Sequence, residues 1–267
     1  MPIALVTGAS SGIGQACAVG LVNAGWRVLA GVRRAGDAPH GTEEVLLDVT
    51  EPDQIRDAAG RVEELDGLVN NAGIAVAAPL EFVPPEELRH QLEVNLVGQV
   101  AVTQAFLPAL RRAKGRIVFM GSIAGRSALP FLSPYAASKH ALEAIADSLR
   151  LELRPFGIHV SIVEPGTIKT RIWSSSAARA DELIAAADGR IGELYGERIA
   201  AFRQLALKRG AAGAPVQKVA NVVVDALTTE RPHTRYLVGR DARLRAGFER
   251  LPDRLRDRIY ERVLLKG

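Results

Sequence analysis

Tyr135 and Lys139 stand four residues apart in the run Tyr135-Ala136-Ala137-Ser138-Lys139, within a segment of helical pattern, so phenol and ammonium project from one face. An isolated phenol ionises near pH ~10, and a fixed positive charge beside it favours the phenolate, which brings proton exchange with a substrate oxygen towards neutrality. The pair is acid/base machinery. The same spacing also arises where a packed tyrosine sits beside a solvated lysine, so it needs support from elsewhere in the chain. The helix carries its own signals: Ser133 suits an N-cap, Pro134 the first helical position, and an alanine-rich amphipathic run continues to about Arg154.

A second chemical feature opens the chain. Ile3-Ala4-Leu5-Val6 reads as a buried strand and runs into Thr7-Gly8-Ala9-Ser10-Ser11-Gly12-Ile13-Gly14, after which an apolar, small-residue helix extends to about Ala24. Strand, glycine-rich turn and helix start together make a diphosphate site, because glycine lets the backbone come close while unpaired N–H groups and the helix dipole favour an anion. A tight packing turn uses the same small residues, but the strand–turn–helix context favours a nucleotide.

These two features need a scaffold. Short apolar runs at 2–7, 26–32, 43–48, 66–70, 116–121, 158–164 and 235–239 alternate with helical patterns near 12–24, 52–64, 85–112, 134–154 and 215–229. The alternation predicts an α/β fold, a doubly wound parallel sheet of about seven strands with helices on both faces, whose ligands gather at the carboxyl ends of the strands. With 267 residues and 48% hydrophobic content the chain can bury one large core, and no linker or repeat divides it, so a single domain over 1–267 is expected.

The motifs, in their order and separation, resemble the short-chain dehydrogenase/reductase family in its shorter form, with its T-G-x-x-x-G-x-G and Y-x-x-x-K patterns and a Rossmann-type fold. The match continues through Asp48, Asn70-Asn71-Ala72-Gly73, Asn95, Gly121-Ser122 and Pro165-Gly166-Thr167-Ile168-Lys169-Thr170. The resemblance implies a catalytic group of Asn95, Ser122, Tyr135 and Lys139. Ser122, thirteen residues before Tyr135, would orient the substrate oxygen, and Tyr135 would exchange its proton. Lys139 would hold the nicotinamide ribose and lower the phenol's pKa, and Asn95 would anchor a water relay, its mid-helix position fitting a distorted ladder. On the cofactor side it implies Thr7, Gly8, Ser10, Ser11, Gly12, Ile13 and Gly14 at the diphosphate, and Asp48 and Val49 at the adenine. Asn70, Ala72 and Gly73 would lie under the adenosine, and Pro165, Gly166, Ile168 and Thr170 at the carboxamide. Bare turns account for several of these: Thr50 with Asp53 looks like a capping box that could claim Asp48, and Asn and Gly suit left-handed backbone anywhere.

Cofactor choice falls to the end of the second strand, where an acidic residue takes the 2′-OH of NAD and arginine the 2′-phosphate of NADP. Val32 fills the position that relatives preferring NAD give to aspartate, and Arg33 and Arg34 follow, so NADP(H) is expected; Asp37 keeps NAD(H) as the alternative. Only Ala35 to Thr42 separate these arginines from the next strand, too short a stretch for a crossover helix.

A net charge of +4 with acidic and basic residues interleaved gives no case for nucleic acid, and nothing calls for a metal. Cys17 is the one cysteine, so no internal disulfide forms and it reads as a buried thiol; with no signal peptide and no spanning apolar run, a cytoplasmic protein is expected. Residues 171–210 correspond to the family's substrate lid, with an apolar stripe of Ile172, Trp173, Leu183, Ile184, Leu194, Tyr195 and Phe202 that core packing explains equally well. The tail 241–267 is expected to dock on its own domain, and the segment from Arg235 to Asp241 looks similar to hydroxysteroid and retinol dehydrogenases. The resemblance also implies a homodimer or homotetramer. The expected activity interconverts an alcohol with a ketone or aldehyde on a lipophilic small molecule; the alternative is an NADP(H)-binding sensor or scaffold with little turnover.

Overall fold

The structure is a computed structural model that describes residues 1–170, 172–186 and 189–265. Seven strands form one sheet, all neighbours parallel: β1 (Ile3–Thr7), β2 (Arg27–Val32), β3 (Glu43–Leu46), β4 (Gly67–Asn70), β5 (Arg116–Met120), β6 (His159–Pro165) and β7 (Arg235–Val238), in spatial order β3-β2-β1-β4-β5-β6-β7. The order reverses between β1 and β4, where the carboxyl ends diverge and leave a crevice.

Alternation along each strand sends side chains to two cores, the geometry of a sheet covered on both sides. On one face Leu5, Leu68, Ile117, Phe119 and Ile162 pack under α2 (Pro52–Ala59), α4 (Gly98–Ala113) and α5 (Ser133–Leu153). On the other, Ala4, Val6, Val69, Val118 and Val163 meet α1 (Gly12–Asn23) and α8 (Val216–Thr228), through residues such as Cys17, Leu21, Val219 and Val223. Between them in the chain come α3 (Pro85–Leu92), α6 (Ile172–Ala186) and α7 (Arg190–Ala211), and after β7 come α9 (Arg240–Phe248) and α10 (Asp253–Tyr260). Among the described residues no helix is long and apolar enough to cross a membrane.

Local details depart from expectation where side chains compete for the backbone. Ser133 is the first residue of α5 and caps nothing; the cap position is Leu132, and Pro134 is the second helical residue instead of the first. Thr50 and Asp53 form no capping box. Both the N–H and the hydroxyl of Thr50 donate to Asp48 Oδ1, at 3.0 and 2.8 Å, and Glu51 precedes Pro52 at the start of α2. That helix ends at Ala59, and the Gly60 N–H still bonds back to the Arg56 carbonyl at 3.0 Å. Between α3 and α4 the residues Glu93–Val97 form one wide π turn, so the long helix is continuous but carries an extra residue at Asn95. Residues 33–42 cross from β2 to β3 without a helix.

Candidate active site

The glycine turn after β1 is shaped by contacts that leave no room for a side chain. Gly8 and Gly12 adopt φ of 64° and 59°, and a Cβ on Gly14 would lie 2.2 Å from the Gly8 carbonyl. Thr7 is fully buried, and its hydroxyl accepts from the N–H groups of Asn71 and Ala72 at 2.9 and 3.0 Å. In return Asn71 Nδ2 donates to the Thr7 and Gly8 carbonyls at 2.9 and 3.2 Å. Thr7 and Ala72 therefore fasten two turns together and do not themselves line the cleft. Ser11, extended at φ −160°, makes no side-chain capping bond, so the first N–H groups of α1 are left for a ligand. A backbone cradle with free donors fits a diphosphate.

Gly8, Ser11, Gly12, Ile13 and Gly14 form one wall of a cleft of about 570 Å³ at the carboxyl ends of the strands. Arg33 lines the same cleft, is exposed, and has no ion-pair partner among the described residues. Arg34 and Ser10 are exposed but stand outside the cleft wall. Asp48 uses Oδ1 in the turn with Thr50, and Val49 is core, its carbonyl 2.6 Å from where a Cβ on Gly98 would be. Neither lines the cleft. Asn70, expected on the cofactor side, turns into the core instead: it is fully buried and donates to Thr103 Oγ1 at 2.8 Å, while Asn71 faces the cleft. Successive residues leaving a strand point to opposite faces, and the sequence does not tell which asparagine faces out. Gly73 lines the cleft.

Ser122, Tyr135 and Lys139 meet on the opposite wall. Ser122 leaves β5 extended, and its Oγ accepts from the Ala124 N–H at 3.1 Å, which holds the hydroxyl at the cleft mouth. Tyr135 sits in the first turn of α5, and Lys139 one turn later donates from Nζ to the Met120 carbonyl at 2.7 Å, its nitrogen 5.8 Å from the phenol ring centre. Burial pushes the Lys139 ammonium down to about 8, with the Glu143 charge opposing. The Tyr135 phenol is raised, not lowered: burial dominates, and a hydrogen bond with Ser122 and the charge of Arg245 pull the other way. In this structure Lys139 is turned to a carbonyl, and burial of the phenol outweighs what its charge was expected to do.

Asn95 does not line the cleft. Its amide accepts from the Ile74 N–H at 2.8 Å and donates to the Ile74 carbonyl at 3.0 Å and to Ser138 Oγ at 3.1 Å. Gln91 and Gln99, one turn to either side, treat the same strand-like segment alike: Gln91 bonds Val76 N–H and Ile74 C=O, and Gln99 bonds Ala72 C=O. The sequence reading missed both glutamines, although their spacing with Asn95 is a visible signal.

At the end of β6 Pro165, and after it Gly166, Ile168 and Thr170, line the cleft. The loop is held by Asp241, whose Oδ2 accepts from the Thr167 N–H at 2.6 Å and whose Oδ1 occupies the space a Cβ on Gly166 would need. Arg245, one turn further along α9, donates to the Ser127 carbonyl at 2.6 Å. These two C-terminal residues were not anticipated. Of the apolar stripe, Leu183 packs on Val76 and Ala78, Tyr195 and Phe202 meet Phe131 edge to face, and Leu194 is 55% exposed, so it is no part of a wall. The side chains of Ile172, Trp173 and Ile184 lie outside the described residues.

A family model for the short chain dehydrogenases matches residues 2–181. The chain belongs to that family. Over its whole length it is 34% identical to an NADPH-dependent 3-dehydrocapnine reductase of Ornithobacterium rhinotracheale, 98% of which is covered. It is 38% identical to the human 17-beta-hydroxysteroid dehydrogenase type 6, over 89% of this chain and 80% of that one, and 37% identical to the mouse retinol dehydrogenase 16, over 90% and 81%. Among solved structures, a short-chain dehydrogenase from Burkholderia cenocepacia in complex with NADP superposes with a TM-score of 0.76 at 28% identity, covering 98% of this chain and 97% of that one. The similarity to hydroxysteroid and retinol dehydrogenases expected from the sequence is thus present in this short-chain dehydrogenase, as is the Rossmann-type sheet.

Proposed function

We propose that this short-chain dehydrogenase is an NADP(H)-dependent oxidoreductase that interconverts an alcohol with a ketone or aldehyde. The supporting observation is the convergence of Ser122, Tyr135 and Lys139 across one cleft from the glycine turn. The unpaired Arg33 on the same cleft, the reductase relative named for NADPH and the neighbour bound to NADP favour NADP(H) over NAD(H). When bound, the nicotinamide gives or takes the hydride at the substrate carbon.

Ser122 holds the substrate oxygen, and Tyr135 donates a proton to it in reduction or accepts one in oxidation. A raised phenol pKa keeps that proton on Tyr135 at neutral pH, which suits reduction. Lys139 takes the ribose hydroxyls once it leaves the Met120 carbonyl. Asn95 enters as a positioning residue, because its amide braces Ser138 beside Lys139 and supports the water relay only from behind the cleft. The turn residues Gly8, Ser11, Gly12, Ile13 and Gly14 hold the diphosphate; Pro165, Gly166, Ile168 and Thr170 hold the carboxamide.

The retinol and hydroxysteroid relatives favour a lipophilic substrate under a lid formed within 171–210. Exposed Val97, Leu151 and Phe156 beside the long helices suit pairing into a homodimer or homotetramer. The single free, buried Cys17 fits a reducing cytoplasm. The test is consumption of NADPH and NADH in parallel over steroid, retinoid and aliphatic carbonyls, with Tyr135→Phe as control: turnover with NADPH that vanishes in the control is expected, and turnover retained in the control refutes the assignment.

A further inference from the structure

The cleft does not end at Tyr135. Ser122, Tyr135 and Gly166 also line a small chamber of about 70 Å³, and Leu129, Thr167, Arg209 and Arg245 join that chamber to an outer cavity of about 670 Å³ under the C-terminal helices. The chamber is walled mainly by Ile123, Leu132, Phe202 and Leu205, and two arginines interrupt this apolar lining.

Arg245 reaches in from α9. Its Nη2 and Nε donate to the Ser127 carbonyl and hydroxyl at 2.6 and 3.3 Å, which orients the guanidinium, and its charge acts on the Tyr135 phenol. Burial disfavours its charged form, and Arg209 adds a like charge from α7. Among the described residues neither arginine has a carboxylate within ion-pair distance. The Tyr260 hydroxyl bonds Arg245 and supports its charge, and Asp241, the carboxylate whose field also reaches it, is engaged with the Thr167 N–H. Half-buried Arg245 carries a desolvation cost and a repulsion from the like charge of exposed Arg209, and an anionic ligand between the two relieves both. A planar guanidinium matches an oxyanion with paired hydrogen bonds.

The outer cavity adds the other half of the ligand. Leu244, Phe248, Ile259 and Val263 face it together with Leu129, and Leu244 and Val263 remain 65% and 49% exposed. An apolar surface of this kind, continuous with the catalytic chamber, accommodates a hydrocarbon chain.

We propose that the substrate is an anionic amphiphile: a carbonyl compound with an oxyanion close to the reacting carbon, held by Arg245 and Arg209, and an apolar chain lying in the outer cavity. This deepens, and rests on, the carbonyl chemistry proposed above.

The test compares oxodecanoic acids, with the ketone at successive positions from the carboxylate, against their methyl esters as substrates with NADPH. The proteins are the full chain, Arg245→Gln and Arg209→Gln; among the described residues the exposed Arg209 side chain makes no hydrogen bond or ion pair, so that variant keeps the fold. In parallel, decanoate, decanesulfonate and methyl decanoate are titrated calorimetrically into the NADP-loaded protein, which distinguishes carboxylate from sulfonate. For at least one ketone position kcat/KM for the acid should exceed that for the ester by roughly 10–100-fold, and the ratio should fall towards unity in both variants. Ketones reduced without regard to charge would overturn this inference and leave the activity standing. Anion binding that depends on Arg209, with no carbonyl reduced, would leave an anion site standing but overturn the carbonyl activity and, with it, this substrate assignment. Neither turnover nor anion binding would overturn both.

Discussion

Asn95 Nδ2 lies 3.1 Å from Ser138 Oγ, so the π turn between α3 and α4 is bonded to the residue immediately before Lys139. Ser138 in turn donates to the Tyr135 carbonyl at 2.7 Å, and one buried amide thus braces the turn that carries both the phenol and the ammonium. The extra residue of the π turn sets Asn95 where it reaches Ile74 and α5 together.

Asn95→Ala should cost about 1–3 kcal/mol, since it leaves the Ile74 N–H without its partner. Thermal unfolding checks the loss, and kcat should fall more than cofactor affinity because the brace serves the catalytic turn. A kcat equal to that of the unmodified chain would exclude the positioning role.

Tyr135→Phe removes the proton donor while keeping the ring. Turnover should drop by roughly 10²–10⁴-fold with NADPH binding retained, as read from NADPH fluorescence and single-turnover absorbance.

The pKa of Lys139 gives two pH effects. Its ammonium titrates at about 8 in the fold against 10.5 for the ordinary side chain. Between those values the unfolded chain binds more protons, so this group makes stability rise with pH across that window. Lys139→Met should lack that rise in a series of denaturant midpoints. In the intact chain kcat/KM should decline as the pH climbs through about 8 and the ammonium is lost.

Arg33→Ala should raise the KM for NADPH by roughly 10–100-fold and leave that for NADH little changed, because a charge-assisted pair with the 2′-phosphate is lost. Equal effects on both cofactors would remove Arg33 from cofactor choice.

Burial pushes the Cys17 thiol up to about 12. A thiol reagent at neutral pH should therefore label the folded chain far more slowly than the denatured one, which mass spectrometry can follow; equal rates would contradict the buried placement.

Strands buried on both faces leave uninterrupted apolar runs such as Ile3–Val6 and Ile117–Met120, which is why the sheet and the glycine turn were legible in the sequence. Choices between near-equal local partners were not. Thr50 had Asp48 and Asp53 within reach, and whether Asn70 or Asn71 faces the cleft depends on how the chain leaves β4. Arg245 lies 118 residues from its partner Ser127 in sequence, on a helix with no motif of its own, and only the tertiary fold reveals that contact.

The strand order places β7 at a free edge, with β1, β4 and β5 inside the sheet. Ser122, Tyr135 and Lys139 hang from interior elements completed before β6, whereas Arg209 and Arg245 belong to segments that follow it and close around the edge. Under the substrate reading proposed above, substitutions in α7 and α9 change what enters the chamber while Ser122, Tyr135 and Lys139 keep their places after β5 and on α5, so recognition can diversify on a fixed scaffold of acid/base groups.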